Sequence, residues 1–279
     1  LEQGIALCRA QRHARLQAIC LSFIARVLWT LGYPDQARQR IQEALTLAHE
    51  LAHPLTSVIT SCIAALLHIV FKEVREVEKR AEEILVLSAE RGLIHWEAQA
   101  VVLRGWVLAQ QGQEEEGVTQ IRRGLAAYQD TGALLARPRL LGLLAETCRK
   151  TGRPEEGLAV ATEALALTRQ TGQRSQEVWL SWLKGELTLQ QFQVSGSKFQ
   201  VNNPQSAIRN PQLAAEACFY KAIEIARRQQ AKALELQTAM SLSRLWQQQG
   251  KKDDARQMLA EIYGWFTEGF DTADLQEAK

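Results

Sequence analysis

At 279 residues and 46% apolar composition, the chain can bury a continuous core and lies far from a disordered composition. Its 33 basic and 31 acidic residues are interspersed and leave a formal net charge of +2. No basic block exists to neutralise a run of phosphates, so no nucleic-acid partner is expected. The five cysteines, Cys8, Cys20, Cys62, Cys148 and Cys218, form no Cys-x-x-Cys pair and sit among apolar neighbours. That pattern predicts buried free thiols in a reducing, cytoplasmic setting rather than disulfides or a metal site.

The predicted elements are helices that come in pairs. The chain opens inside a helical pattern, Glu2 to about Arg12, with no leader peptide. The first pair carries Leu16, Ile19, Phe23, Ile24, Val27, Leu28 and Leu31, then breaks at Gly32-Tyr33-Pro34-Asp35. Glycine ends a helix in the left-handed region and Asp35 can cap the next one. The second helix puts Ala37, Ile41, Ala44, Leu45 and Ala48 on one face, and Pro54 opens the following pair.

In that second pair Lys72 stands where a turn glycine is expected, and Val77, Ala81 and Ile84 hold the small or apolar positions. Leu55 to Phe71 carries no formal charge over 17 residues, the lower limit for a membrane span. Its Thr56, Ser57, Thr60, Ser61 and His68, and its place in register, predict a covered helix and no membrane.

The third pair runs Ala98 to Gln111 and Glu115 to Tyr128 around Gly112; the acidic run Glu114 to Glu116 suits a helix start. The fourth runs Pro138 to Lys150 and Glu155 to Gln170 around Gly152. The fifth, about Arg174 to Gln191 and Ala214 to Arg228, is interrupted. Residues 192–212 read FQVSGSK, FQVNNPQ and SAIRNPQ, three similar blocks that look like a duplicated, mobile loop insertion at 193–211. The sixth runs Leu234 to Gln249 and Asp253 to Trp265 around Gly250.

The pairs keep time. Gly32, Gly112, Gly152 and Gly250 each precede a small residue, Ala37, Gly117, Gly157 or Ala255, by five positions, on a 40-residue beat lengthened by 18 at the insertion. Ala25, Gly105 and Ala145 lie seven positions before those turns, so the two sets can meet across each hairpin. A helical glycine costs about 1 kcal/mol against alanine, so its presence implies a close approach. A fixed beat of this length marks stacked units. The expected fold is an all-α, right-handed superhelical solenoid of about six antiparallel helix pairs over residues 1–270, with a further helix starting at 271–279. Both ends fall inside helical patterns, which reads as a piece of a longer protein.

Small residues on both helices with glycine between them resemble tetratricopeptide repeats, although the usual period is about 34 residues. A second resemblance rests on Arg104-Gly105-Trp106-x-Leu108-Ala109-x-x-Gly112, Glu115-Glu116-Gly117, Leu143-Leu144-Ala145-Glu146 and, above all, Tyr263-Gly264-Trp265-Phe266-Thr267-Glu268-Gly269-Phe270-Asp271-Thr272. These are similar to the carboxy-terminal region of large bacterial signalling proteins that join a class III nucleotide cyclase domain, a STAND-type ATPase domain and a tetratricopeptide-like array. The insertion is outside that plan. The resemblance implies a regulatory, protein-binding role beside an upstream ATPase domain, with no catalysis in this chain. By the same register, first-helix positions line a concave groove for a protein or peptide partner: Arg26, Trp29, Leu66, Ile69, Gln99, Val102, Trp106, Arg139, Glu146, Arg149, Lys150, Trp179, Trp182, Glu186, Gln237, Arg244 and Gln248. Arginine and aromatic side chains are what binding hot spots favour. Trp246 and Trp265 are expected to be structural.

One enzymatic pattern competes. His49-Glu50-Leu51-Ala52-His53 matches the H-E-x-x-H of zinc hydrolases, which needs both histidines on one helical face. Pro54 pushes His53 out of helical geometry, and no companion ligand motif follows. No phosphate-binding, dinucleotide or nucleophile-elbow motif occurs. The expectation is therefore a binding module without cofactor or metal; a zinc hydrolase and a purely structural spacer are the alternatives.

Overall fold

The computed structural model describes Gln3 and residues 13–195 and 211–279, and among these no strand occurs. The helical start predicted at Glu2–Arg12, Cys8, and most of the insertion lie outside the described residues. Helices α1 (Ala14–Leu31) and α2 (Pro34–Leu51) form the first pair, α3 (Pro54–Val70) and α4 (Val74–Arg91) the second, and α5 (Ile94–Gln110) and α6 (Glu114–Asp130) the third. The fourth is α7 (Arg137–Lys150) with α8 (Pro154–Thr171); the fifth is α9 (Glu177–Ser195) with α10 (Pro211–Gln229). The sixth is α11 (Lys232–Gln248) with α12 (Lys252–Tyr263), and α13 (Ala273–Ala278) follows. This is the expected all-α succession of helix pairs.

What times the helices is a residue in the left-handed region every 20 positions. Gly32, Ala52, Lys72, Gly92, Gly112, Gly132, Gly152 and Gly172 all have positive φ, and the series resumes at Gln230 and Gly250. After several of these residues the next N–H reaches five residues back, as in Tyr33 N to Leu28 O at 2.9 Å and Arg153 N to Cys148 O at 2.8 Å. This closure satisfies a carbonyl that the helix end would leave unpaired. Pro34, Pro54 and Pro154 then open the next helix at its first position, where no N–H is needed. Ala52, Lys72 and Gln230 take positive φ without glycine's freedom, a costlier choice than at the glycine turns.

The small residues meet as expected. A Cβ on Gly105 would lie 2.7 Å from the Gly117 carbonyl, and one on Gly117 would lie 2.7 Å from the Gly105 carbonyl. Alanine at either position would strike backbone, so α5 and α6 touch main chain to main chain.

The chain divides into two compact units: residues 1–133 with 266–277, and residues 134–265 with 278–279. In the first, Ala25, Ala37, Ile41, Ala64 and Leu67 form a buried cluster from α1, α2 and α3. Tyr128 is fully buried, its ring 4.9 Å from that of His95. His68 is interior and hydrogen-bonded, with Nδ1 2.6 Å from Glu73 Oε2; Arg38 of α2 pairs with the other oxygen of Glu73. In the second unit Leu140, Leu143, Leu180, Leu183, Leu187, Phe219 and Leu236 are fully buried. Each contributes roughly 2 kcal/mol by leaving water.

By length and composition α1, rather than the segment from Leu55, is the helix apolar enough to cross a membrane. Its Ala18, Leu21, Ile24 and Ala25 face is nevertheless buried in the first unit, while Leu16, Phe23 and Val27 are exposed. Of the described thiols, Cys62 and Cys148 are buried and Cys20 and Cys218 only half so, and no disulfide joins any two of these four.

Candidate functional site

Three contacts between first helices of successive hairpins fall at a spacing of 37 residues. In the first unit Cys62 of α3 donates its Sγ–H to Gln99 Oε1 of α5 at 3.6 Å. In the second unit the same offset joins Gly142 of α7 to Trp179 of α9, and Arg149 to Glu186. The chemistry at these meetings differs between the units.

In the second unit the first-helix face is built around two indoles. A Cβ on Gly142 would lie 2.2 Å from Trp179 Cζ3, so the missing side chain is the slot that receives that ring. Trp182, 8% exposed, donates its Nε1–H to Ser241 Oγ of α11 at 2.9 Å. The Arg149 guanidinium lies 5.8 Å from the Trp182 ring centroid, and its Nη1 is 3.9 Å from Glu186 Oε2. Gln190 Nε2 donates to the Arg149 carbonyl at 2.8 Å. Arg149 Nε is buried and has no hydrogen-bond partner among the described residues. A guanidinium beside an indole, on a side chain still 34% exposed, is suited to meet an acceptor on a partner.

The other expected groove residues fall as follows. Arg139 and Glu146 of α7 are half-buried, and Arg244 of α11 is exposed. In the first unit Arg26 of α1 is half-buried, and Trp29 packs against the Ala25–Leu67 cluster, so part of its ring serves the core. Trp106 of α5 is 3% exposed, and its indole N–H has no partner among the described residues. Trp106 and Trp182 are thus mostly interior; what remains at the surface is Arg149, Trp179 and their polar neighbours.

Sequence reasoning missed a second polar cluster. Glu216 of α10 accepts from Trp246 Nε1 at 2.8 Å and lies 3.9 Å from Lys251 Nζ. Burial, with Glu216 and Asp254 nearby, pushes the Tyr220 hydroxyl up. Glu235, nearly fully buried, holds the α10–α11 turn by accepting from Arg227 and Lys232. Trp246 and Trp265 are both half-buried, and Trp265 lies 5.7 Å from Lys232 Nζ.

The H-E-x-x-H pattern does not remain on one helix. His49 is exposed on the last turn of α2, Ala52 turns the chain at φ +46, and His53 caps α3. The His53 Nδ1 accepts from the Thr56 N–H at 3.4 Å. Among the described residues no group of three or more His, Cys, Asp or Glu is placed to hold a metal ion.

Two stretches, residues 18–43 and 138–163, match the family model described as tetratricopeptide repeat. They cover α1–α2 and α7–α8, one hairpin in each unit. No curated protein matches the chain. Among solved structures, the apo form of RapI is similar over 89% of this chain and 85% of its own, at 12% identity and a TM-score of 0.54. PilF of Pseudomonas aeruginosa matches over 96% and 97% at 14% identity, with a TM-score of 0.44. The fold likeness rests on RapI and on the repeats. Two hairpins of the chain thus match tetratricopeptide repeats, a scaffold class whose stacked hairpins present extended surfaces for protein–protein interaction.

Proposed function

We propose that the chain is a protein-binding regulatory module and that its second unit grips a polypeptide on the first-helix face of α7, α9 and α11. The observation that carries this reading is the Arg149 guanidinium beside Trp182 and Glu186, on a side chain that stays about a third (34%) exposed. Trp179 in its Gly142 slot gives a rigid aromatic wall beside it. Together they fit a segment with a carboxylate or carbonyl acceptor next to an apolar side chain. Arg26, Trp29, Arg139, Glu146 and Arg244 extend the recognition surface of their own units by register.

The resemblance of the Tyr263–Thr272 segment supports a setting in a cytoplasmic bacterial signalling protein, downstream of an ATPase or cyclase domain. Partner binding would then bias that domain. Arg149→Ala and Trp179→Ala, made singly, test the reading: each is expected to weaken binding of a captured partner about tenfold or more while leaving helicity unchanged. Unchanged binding removes this face from the account. Zinc at one equivalent, lost on replacing His49, would favour a hydrolase instead.

A further inference from the structure

The segment after α12 meets the first hairpin in a way that packing alone does not require. Helix α2 starts at Pro34, so the N–H groups of Asp35 and Gln36 have no partner within the helix. Both donate to one oxygen of Glu268, at 3.0 and 3.1 Å. The Gln36 side-chain amide donates to the other oxygen at 3.0 Å. The exchange is reciprocal, because the Gly269 N–H donates to Asp35 Oδ2 at 3.0 Å. Gly269 has φ +75, and a Cβ there would lie 2.0 Å from Pro34 Cγ. The site therefore demands a carboxylate followed by a residue with no side chain.

A second point of attachment lies at the turn of the second hairpin. Lys72, the non-glycine residue at φ +60, places its Nζ 2.9 Å from Asp274 Oδ1. Phe266 and Leu275, on either side of the contact, are buried. A glycine at 72 would suit the turn but could not reach the acidic segment.

We propose that the Tyr33–Gln36 turn, with Lys72, is a peptide-recognition site specific for an acidic Glu-Gly segment, and that residues 266–275 of this chain are its resident ligand. Recognition reads the Glu268 carboxylate through two main-chain donors and the dipole of α2, and reads Gly269 by exclusion against Pro34. The resident segment is a clasp, and a peptide of the same sequence occupies the site when the clasp is weakened.

Amide-resolved hydrogen exchange on the full chain carrying Gly269→Ala tests this. Asp35 and Gln36 amides and those of residues 266–277 should exchange about tenfold faster or more, with α7 and α8 unchanged. A synthetic peptide spanning Tyr263–Gln276 should restore the Asp35 and Gln36 protection saturably, and the same peptide with Glu268→Ala should not. Should Gly269→Ala misfold, Glu268→Ala in the full chain, which removes only the carboxylate, gives the same readout. Unchanged exchange at Asp35 and Gln36, no restoration by the peptide, or equal restoration by the Glu268→Ala peptide overturns the assignment.

Discussion

The two units run the same register through their first helices and fill it differently. In α3 and α5 the meeting residues are Cys62 and Gln99, buried and small enough to close as core. In α7 and α9 they are Gly142 and Trp179, a vacancy filled by a large ring, with Arg149 against Glu186 one row further on. The two buried tryptophans repeat the contrast. Trp106 leaves its N–H unpaired, whereas Trp182 spends its own on Ser241. The lesson is that the hairpin repeat dictates where helices touch, and the side chains at those touches decide how each meeting is filled.

The strongest way to break the comparison is Gly105→Ala. Its Cβ would strike the Gly117 carbonyl and the Ile121 nitrogen, both at 2.7 Å, and backbone cannot swing aside. The expected loss is about 3 kcal/mol, read as a lower urea midpoint. Gly142→Ala meets the Trp179 ring and Leu180 Cδ2, side-chain atoms that can shift where backbone cannot. The loss should be nearer 1–2 kcal/mol, with red-shifted tryptophan emission and weakened partner binding. Equal losses for the two would remove the distinction between a main-chain crossing and an aromatic slot.

Phenylalanine at each buried tryptophan sharpens the contrast further. Trp182→Phe leaves Ser241 without its donor, while Trp106→Phe removes an N–H that had no partner. Both lose similar ring volume, so Trp182→Phe should cost about 1 kcal/mol more in urea unfolding.

The smallest effect concerns thiols. Burial pushes the Cys218 thiol up, against the lowering pull of Lys184 and Lys221. Its alkylation by iodoacetamide at pH 8 should lag an ordinary thiol and rise only at higher pH. Because the unfolded thiol gives up its proton first, this group's contribution to stability falls as pH rises through the ordinary thiol range. Cys62, fully interior, should stay unreactive until the first unit unfolds.

Much of the fold was legible. Gly32, Gly112, Gly152 and Gly250 marked the within-pair turns, and the prolines marked helix starts. Gly92, Gly132 and Gly172 carried a second series at the ends of second helices, which halves the beat to 20 residues. That series escaped notice because Ala52 and Gln230 hold two of its positions, and a left-handed alanine has no signature of its own. The site was legible in part. Register expected Arg149, Trp179 and Trp182 on one face, but it could not say that Trp182 and Trp106 would be covered, since cover depends on side chains distant in sequence, such as Ser241 against Trp182. The Glu268 contact with α2 spans more than 230 residues and obeys no period. The Tyr263–Thr272 motif flagged the segment without revealing what it touches.

The central claim is that recognition occurs on the first-helix face of the second unit. The photo-crosslinking residue p-benzoylphenylalanine, placed at position 179 and separately at the exposed position 170 of α8, tests it in a cell extract. The account predicts a discrete polypeptide adduct from position 179, lost on adding Arg149→Ala, and none from position 170. Adducts of equal yield from both positions, or an adduct at 179 that ignores Arg149, would contradict it.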